Sequence, residues 1–188
     1  MNKKFDETML LETDRLILRK VKEEDVDDLF NNWGSDPVTT KYLTFKTQTT
    51  KEETLKFITY WKQKYEKGEL QWVIEYKENH QVIGVISGIK TYKYNCIELG
   101  YSLSSKYFNN GIMTEAIKKV INYLLSNLEY NVVEVIIPSK NIASIKVAQK
   151  VGMKKEACLK DRYKDKEGNI QDLLIYSKFK EKTNDTKC

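Results

Sequence analysis

At 188 residues, with 40% hydrophobic side chains and two prolines, the chain has the size of one globular domain and enough apolar material for a substantial core. Its 32 Lys+Arg against 27 Asp+Glu leave a net charge of +5 that is spread along the sequence, with no basic block of the kind nucleic acid attracts. Three cysteines without metal-type spacing and a single histidine argue against a disulfide framework, a His-based zinc site and Ser-His or Cys-His catalysis.

Residues 1–10 are polar and expected to fray, as are residues 181–188, which leaves 11–180 as a single domain. In Thr13–Arg19, Leu16 and Leu18 alternate with Arg15, Ile17 and Arg19, the pattern of a strand with one apolar face. Val26, Leu29, Phe30 and Trp33 then recur at i, i+3, i+4 and i+7, which is one face of a helix. A second helix opens on the capping box Thr50-Lys-Glu-Glu53, continues through Leu55, Ile58, Trp61 and Tyr65, and stops at Gly68.

Strands follow over 71–76 and 82–89, joined into an antiparallel hairpin by a turn holding His80, and a further strand covers 96–103. The longest periodic segment, 111–127, carries Ile112, Ala116, Ile117, Val120, Ile121, Leu124 and Leu125 on one stripe and predicts a helix. Val132–Ile137 is a β-branched run that ends at Pro138. A short helix starts near Asn141 and is closed by Gly152, and two last strands span 154–163 and 170–179 around the turn Asp165–Asn169. The result is an α/β (α+β) domain of about seven strands and about four helices. No apolar run approaches the ~20 residues of a membrane span, and no export signal opens the sequence, so the expected location is cytoplasmic.

Two of these junctions carry chemistry. In Phe108-Asn109-Asn110-Gly111-Ile112-Met113-Thr114 a strand passes through a tight turn into a helix, which aims unpaired backbone N–H groups and a positive dipole end at one point suited to phosphate. Asn and Gly tolerate the positive φ that a loop wrapping an anion requires. In Asn141-Ile-Ala-Ser144-Ile-Lys146 a helix begins at the carboxyl end of a buried strand, where α/β proteins place ligands.

Taken together, in order and about thirty residues apart, the two segments resemble the GNAT acetyltransferase superfamily. Glu12–Arg19, Asp36-Pro37 with Tyr42-Leu43, Ile97–Leu103, and Gly168 with Asp172 are similar to its branch of ribosomal-protein N-terminal acetyltransferases. The resemblance spans 11–179 and implies a central mixed, mostly antiparallel twisted sheet and an acetyl-CoA-dependent N-acetyltransferase. It implies no metal, no membrane and no direct nucleic acid contact. Phe108 and Met113 depart from the family's loop pattern, and Ala148 stands where many members carry an acidic Tyr.

By this resemblance the strand edge at Tyr101, Ser102 and Leu103 meets the pantetheine arm, and the loop from Phe108 through Asn109, Asn110, Gly111, Ile112 and Met113 to Thr114 meets the pyrophosphate. Asn141 contacts the pantetheine amides, with Lys146 further along the same helix. Ser144 is the counterpart of the group that protonates the leaving thiolate. With the histidine remote, the base for the amine is expected to be a carboxylate, and Glu98 interrupts an otherwise apolar strand beside the thioester site.

Each residue also has a plain structural reading: Asn141 as an N-cap, Ser144 as a helix-start residue, and Glu98 on a solvent face. Trp33, Tyr42, Tyr60, Trp61 and Trp72 border the acceptor side in the family, most of them as core. The acceptor stays open between a protein N-terminus and small-molecule amines, and the chain between monomer and homodimer. A non-catalytic acyl-CoA-binding module is the alternative function.

Overall fold

The computed structural model describes residues 7–91 and 95–181. In chain order the elements are β1 (Leu11–Glu12), β2 (Leu16–Arg19), α1 (Val26–Leu29), α2 (Pro37–Thr40), α3 (Lys51–Glu66), β3 (Leu70–Tyr76), β4 (Gln81–Thr91), β5 (Cys96–Leu103), α4 (Ile112–Ser126), β6 (Val132–Pro138), α5 (Ile142–Lys150), β7 (Lys154–Lys164) and β8 (Ile170–Phe179). The capping box of α3 forms as its sequence dictates, and Gly68 and Gly152 end their helices at φ of 69° and 78°. No helix among the described residues is long and apolar enough to cross a membrane.

The strands make one sheet in the order β1-β2-β3-β4-β5-β6-β8-β7. Every neighbouring pair is antiparallel except β5 and β6, because α4 carries the chain back to the same end of the sheet before β6 begins. Helices α4 and α5 cover one face. The apolar stripe of α4 is buried there against Leu16, Leu18, Trp72, Ile74, Ile97 and Leu99, each large side chain contributing roughly 1.5–3 kcal/mol relative to exposure.

On the other face α1 and α3 pack Leu29, Trp33, Ile58 and Trp61 over Val73, Val82 and Val85. That cluster draws its sheet residues from β3 and β4 only. The same face of β5, β6 and β8 is left half-covered: Glu98, Glu134, Ile136, Leu173 and Ile175 are partly exposed, and Ile89 is 49% exposed.

β5 and β6 do not stay together. Their register runs only from Cys96–Val132 to Glu98–Glu134, after which β5 continues with β4 to Leu103 and β6 continues with β8 to Pro138. A wedge therefore opens at the carboxyl ends of the two parallel strands. Alternate residues on each side point main-chain N–H and C=O groups into it.

Several expectations need correction. The sheet has eight strands, because the β1 pair Leu11–Leu18 and Glu12–Ile17 is too short to leave a periodic signal. The first helix changes after Leu29 into a π turn over Phe30–Gly34, and the short α2 follows an Asp36 N-cap. Leu55 is 37% exposed while Thr54 is buried and donates to Gln48, so the inner face of α3 starts one residue earlier than its apolar pattern suggests. The chain is also attached before Leu11: Thr8 accepts from the Gln71 N–H, and Trp72 donates to the Met9 carbonyl. Residues 1–6 and 182–188, expected to fray, lie outside the described residues.

Candidate active site

The Asn109 loop follows β5 and α5 follows β6, so both junctions sit at the lips of the wedge. Asn109 has φ 64° and Gly111 φ 74°, two left-handed positions one residue apart, as the sequence requires. This turn points its amides outward together. Among the described residues the N–H groups of Asn109, Asn110, Gly111, Ile112, Met113 and Thr114 make no hydrogen bond; the next, Glu115, returns to the Gly111 carbonyl. Successive free N–H groups at a helix start form an anion cradle.

The two departures from the family pattern find their place. Met113 is 7% exposed and packs in the main core, so its side chain turns away from the loop surface; Phe108 is 40% exposed. Ile112 is buried and Thr114 half-buried.

A group that sequence reasoning missed holds the loop in shape. Arg15 donates through Nε and Nη2 to Glu115 at 2.8 and 2.7 Å and through Nη1 to the Asn110 carbonyl at 3.1 Å, while Thr13 donates to the other Glu115 oxygen. Burial works against ionising Glu115, but the hydrogen bonds from Thr13 and Arg15 outweigh it and hold the carboxyl below its ordinary range. The guanidinium thereby fixes the Asn110 carbonyl, which leaves the amide side of the loop free. Arg15 and Lys106 are the cations of an open depression of about 660 Å³ against this loop. Nothing local in the sequence marks Arg15, because its partner lies a hundred residues away.

At the opposite lip, Asn141 is the N-cap of α5: its Oδ1 accepts from the Ser144 N–H at 3.2 Å. The helix starts directly after it, at Ile142. The amide Nδ2 makes no hydrogen bond among the described residues, and the Ser144 side chain lies against Tyr101. Tyr101 crosses the wedge, donating its hydroxyl to the Ser144 carbonyl at 3.2 Å, and burial pushes that hydroxyl up to about 12. Ser102 and Leu103 are buried at the strand edge, and Lys146 is exposed on α5. Tyr42 also arrives here, its hydroxyl on the Lys140 carbonyl at 3.1 Å. Of the other aromatics, Trp33, Trp61 and Trp72 are core and Tyr60 is 52% exposed.

Glu98 lies on the half-covered face of β5, two residues before Gly100. Burial first, and then the charge of Glu134, push its carboxyl above the ordinary range. His80 sits in the β3–β4 turn at φ 57° against Glu75, away from both lips.

Comparison with known proteins agrees with this geometry. Residues 15–154 match the family model described as Acetyltransferase (GNAT) domain. The chain is 31% identical over 170 residues to the uncharacterized N-acetyltransferase YoaA of Bacillus subtilis (strain 168), covering 89% of this chain and 95% of that one. Among solved structures, ribosomal-protein-S5-alanine acetyltransferase from Vibrio fischeri superposes with a TM-score of 0.79 at 22% identity, over 96% of this chain and all of that one. RimL, a ribosomal L7/L12 alpha-N-protein acetyltransferase in complex with coenzyme A, superposes with a TM-score of 0.78 at 20% identity, over 91% and 98%. At such identities these two establish the fold alone.

Proposed function

This chain belongs to the GNAT acetyltransferase family, and from that premise we propose that it carries the acetyl group of acetyl-CoA to a primary amine by direct attack in a ternary complex. The observation that carries the reading is the run of unpaired N–H groups from Asn109 to Thr114 beside the wedge between β5 and β6. The loop would hold the pyrophosphate, with Arg15 and Lys106 supplying positive charge nearby. The strand edge at Tyr101–Leu103 and the free amide nitrogen of Asn141 would hold the pantetheine. A preorganised backbone N–H at that edge is worth roughly 3 kcal/mol to a developing oxyanion.

Glu98 faces the side of the sheet from which an acceptor can reach the wedge, and it takes the amine proton. The Ser144 hydroxyl, which lies against the Tyr101 side chain, donates toward the leaving sulfur. A thiol of ordinary pKa ~8.5 departs with only that help. The α-amine of a peptide stands first among acceptors, since its pKa near 8 asks less of one carboxylate than a lysine near 10.4. The names of the ribosomal-protein acetyltransferases of like fold point the same way.

Two measurements test the reading together. Acetyl-CoA at about 100 times its Kd should add roughly 2.7 kcal/mol of stability, a rise of several degrees in Tm. A panel of peptides and small amines should release free thiol from acetyl-CoA. Absence of any Tm shift at millimolar acetyl-CoA would sink the donor assignment, and stabilisation without thiol release across the panel would leave a binding module. Ser144→Ala should slow turnover about tenfold or more and spare the Tm increment; unchanged turnover removes Ser144 from the mechanism.

A further inference from the structure

Glu98 and Glu134 are register partners on the same face of β5 and β6, the last pair before those strands part. Neighbouring strands lie roughly 4.8 Å apart, so the two side chains stand side by side. Sequence position hides this, since one residue interrupts the β5 strand and the other lies in the β-branched run of β6. Among the described residues neither carboxylate has an ion pair with a cation.

We propose that Glu98 and Glu134 work as a couple that holds one shared proton or one ammonium, and that Glu134 is the positioning residue setting the pH at which Glu98 accepts the acceptor's proton. The inference rests on the assignment of Glu98 as base. One face-sharing position further along β5 stands Gly100, whose missing side chain keeps the route from the pair to the wedge open; a Cβ there would come within 2.9 Å of the Ser87 hydroxyl.

On β4 the neighbour of Glu98 is Ile89, and Lys90 registers with Ile97 on the opposite face. On β5 the preceding residue of that face is Cys96, whose thiol burial pushes up, Thr91 opposing, while the charge of Glu134, a side-chain hydrogen bond with it and the charge of Glu98 add to the rise. Beyond Glu134, β8 presents Ser177, which donates to Glu156 of β7. Among the described residues the next cation along this row is Lys154, in register with Ser177 and two strand spacings from Glu134, roughly 10 Å. From the α2 side come Asp36, hydrogen-bonded to Thr39, and Lys166, bound to the Thr40 carbonyl; Thr39 itself meets the Leu103 end of β5.

Side chains of register partners on one face lie close, and the negative charge of Glu134 disfavours the ionised form of Glu98. An incoming ammonium relieves the repulsion. In the reaction one ammonium proton passes to the pair and the freed lone pair forms the N–C bond. As the C–S bond breaks, the second nitrogen proton balances the one the thiolate gains.

The test compares wild type with Glu134→Gln, with Glu134→Asp as the variant that keeps the charge. Carboxyl 13C NMR of the ligand-free protein should show Glu98 titrating at lower pH in Glu134→Gln and near its wild-type position in Glu134→Asp. In turnover, the acid limb of kcat/KM should move to lower pH in Glu134→Gln, raising activity at the foot of that limb about threefold or more relative to the plateau. An unmoved Glu98 titration overturns the coupling, and a moved titration with an unmoved kinetic limb overturns its role in turnover. If the wild type acetylates no amine, the proposed function fails while the NMR titration still decides the coupling.

Discussion

Asn141→Ser is expected to leave the unliganded protein nearly as stable as wild type while weakening acetyl-CoA binding about tenfold or more. Serine caps a helix about as well as asparagine, so the bond from the Ser144 N–H can be remade. What serine cannot supply is the long amide whose Nδ2 is free to meet a pantetheine carbonyl, and one hydrogen bond into a desolvated site is worth about the 1.4 kcal/mol of a tenfold change. Asn141→Ala should lose both functions, costing about 1 kcal/mol of stability through the cap as well. Thermal unfolding with and without acetyl-CoA separates the two effects. Wild-type affinity in Asn141→Ser would mean that this side chain is a cap and nothing more.

Glu98→Gln should lower kcat/KM by about a hundredfold or more, the range expected when a positioned general base is lost, and leave the stabilisation by acetyl-CoA intact. A stability signature goes with it. Because burial and then Glu134 raise the Glu98 carboxyl in the folded protein, its ionised form is disfavoured by folding. The carboxyl's favourable contribution is therefore complete below the unfolded value near ~4.3 and is lost as pH rises through the raised folded value. Glu98→Gln, which never ionises, should thus gain Tm over wild type at pH 8, with the gap closing near pH 4. Unchanged turnover would place the base elsewhere, and an unchanged Tm difference across pH would mean that Glu98 is well solvated.

The half of the candidate site proposed to hold the donor is readable from local sequence because it is built from local geometry. Asn109 and Gly111 announce their left-handed backbone by residue type, and the apolar stripe beginning at Ile112 announces the helix whose amides they expose. Asn141 is legible for the same reason; its bond from the Ser144 N–H realises the N-cap reading, and the ligand contact proposed for it would use the other end of the same amide. Arg15 was not legible, since its meaning depends on Glu115 and Asn110 across the sheet. Nor was the fate of Met113, which only the packing of α4 turns inward. Leu55 was misread because an apolar residue on a period does not reveal where the helix rotates its seam.

By itself the sequence determined the order of strands and helices apart from the short β1 and α2, the two turns that frame the wedge and the family to which they belong, because periodicity, caps and left-handed residues act within a few positions of one another. Tertiary structure alone decided where β5 and β6 stop pairing, that Arg15 pins the Asn109–Thr114 loop through Glu115 and the Asn110 carbonyl, and that Glu134 is the register partner of Glu98. Such contacts join residues tens to a hundred positions apart, and their energies depend on burial and on register across strands, neither of which any short stretch of chain contains.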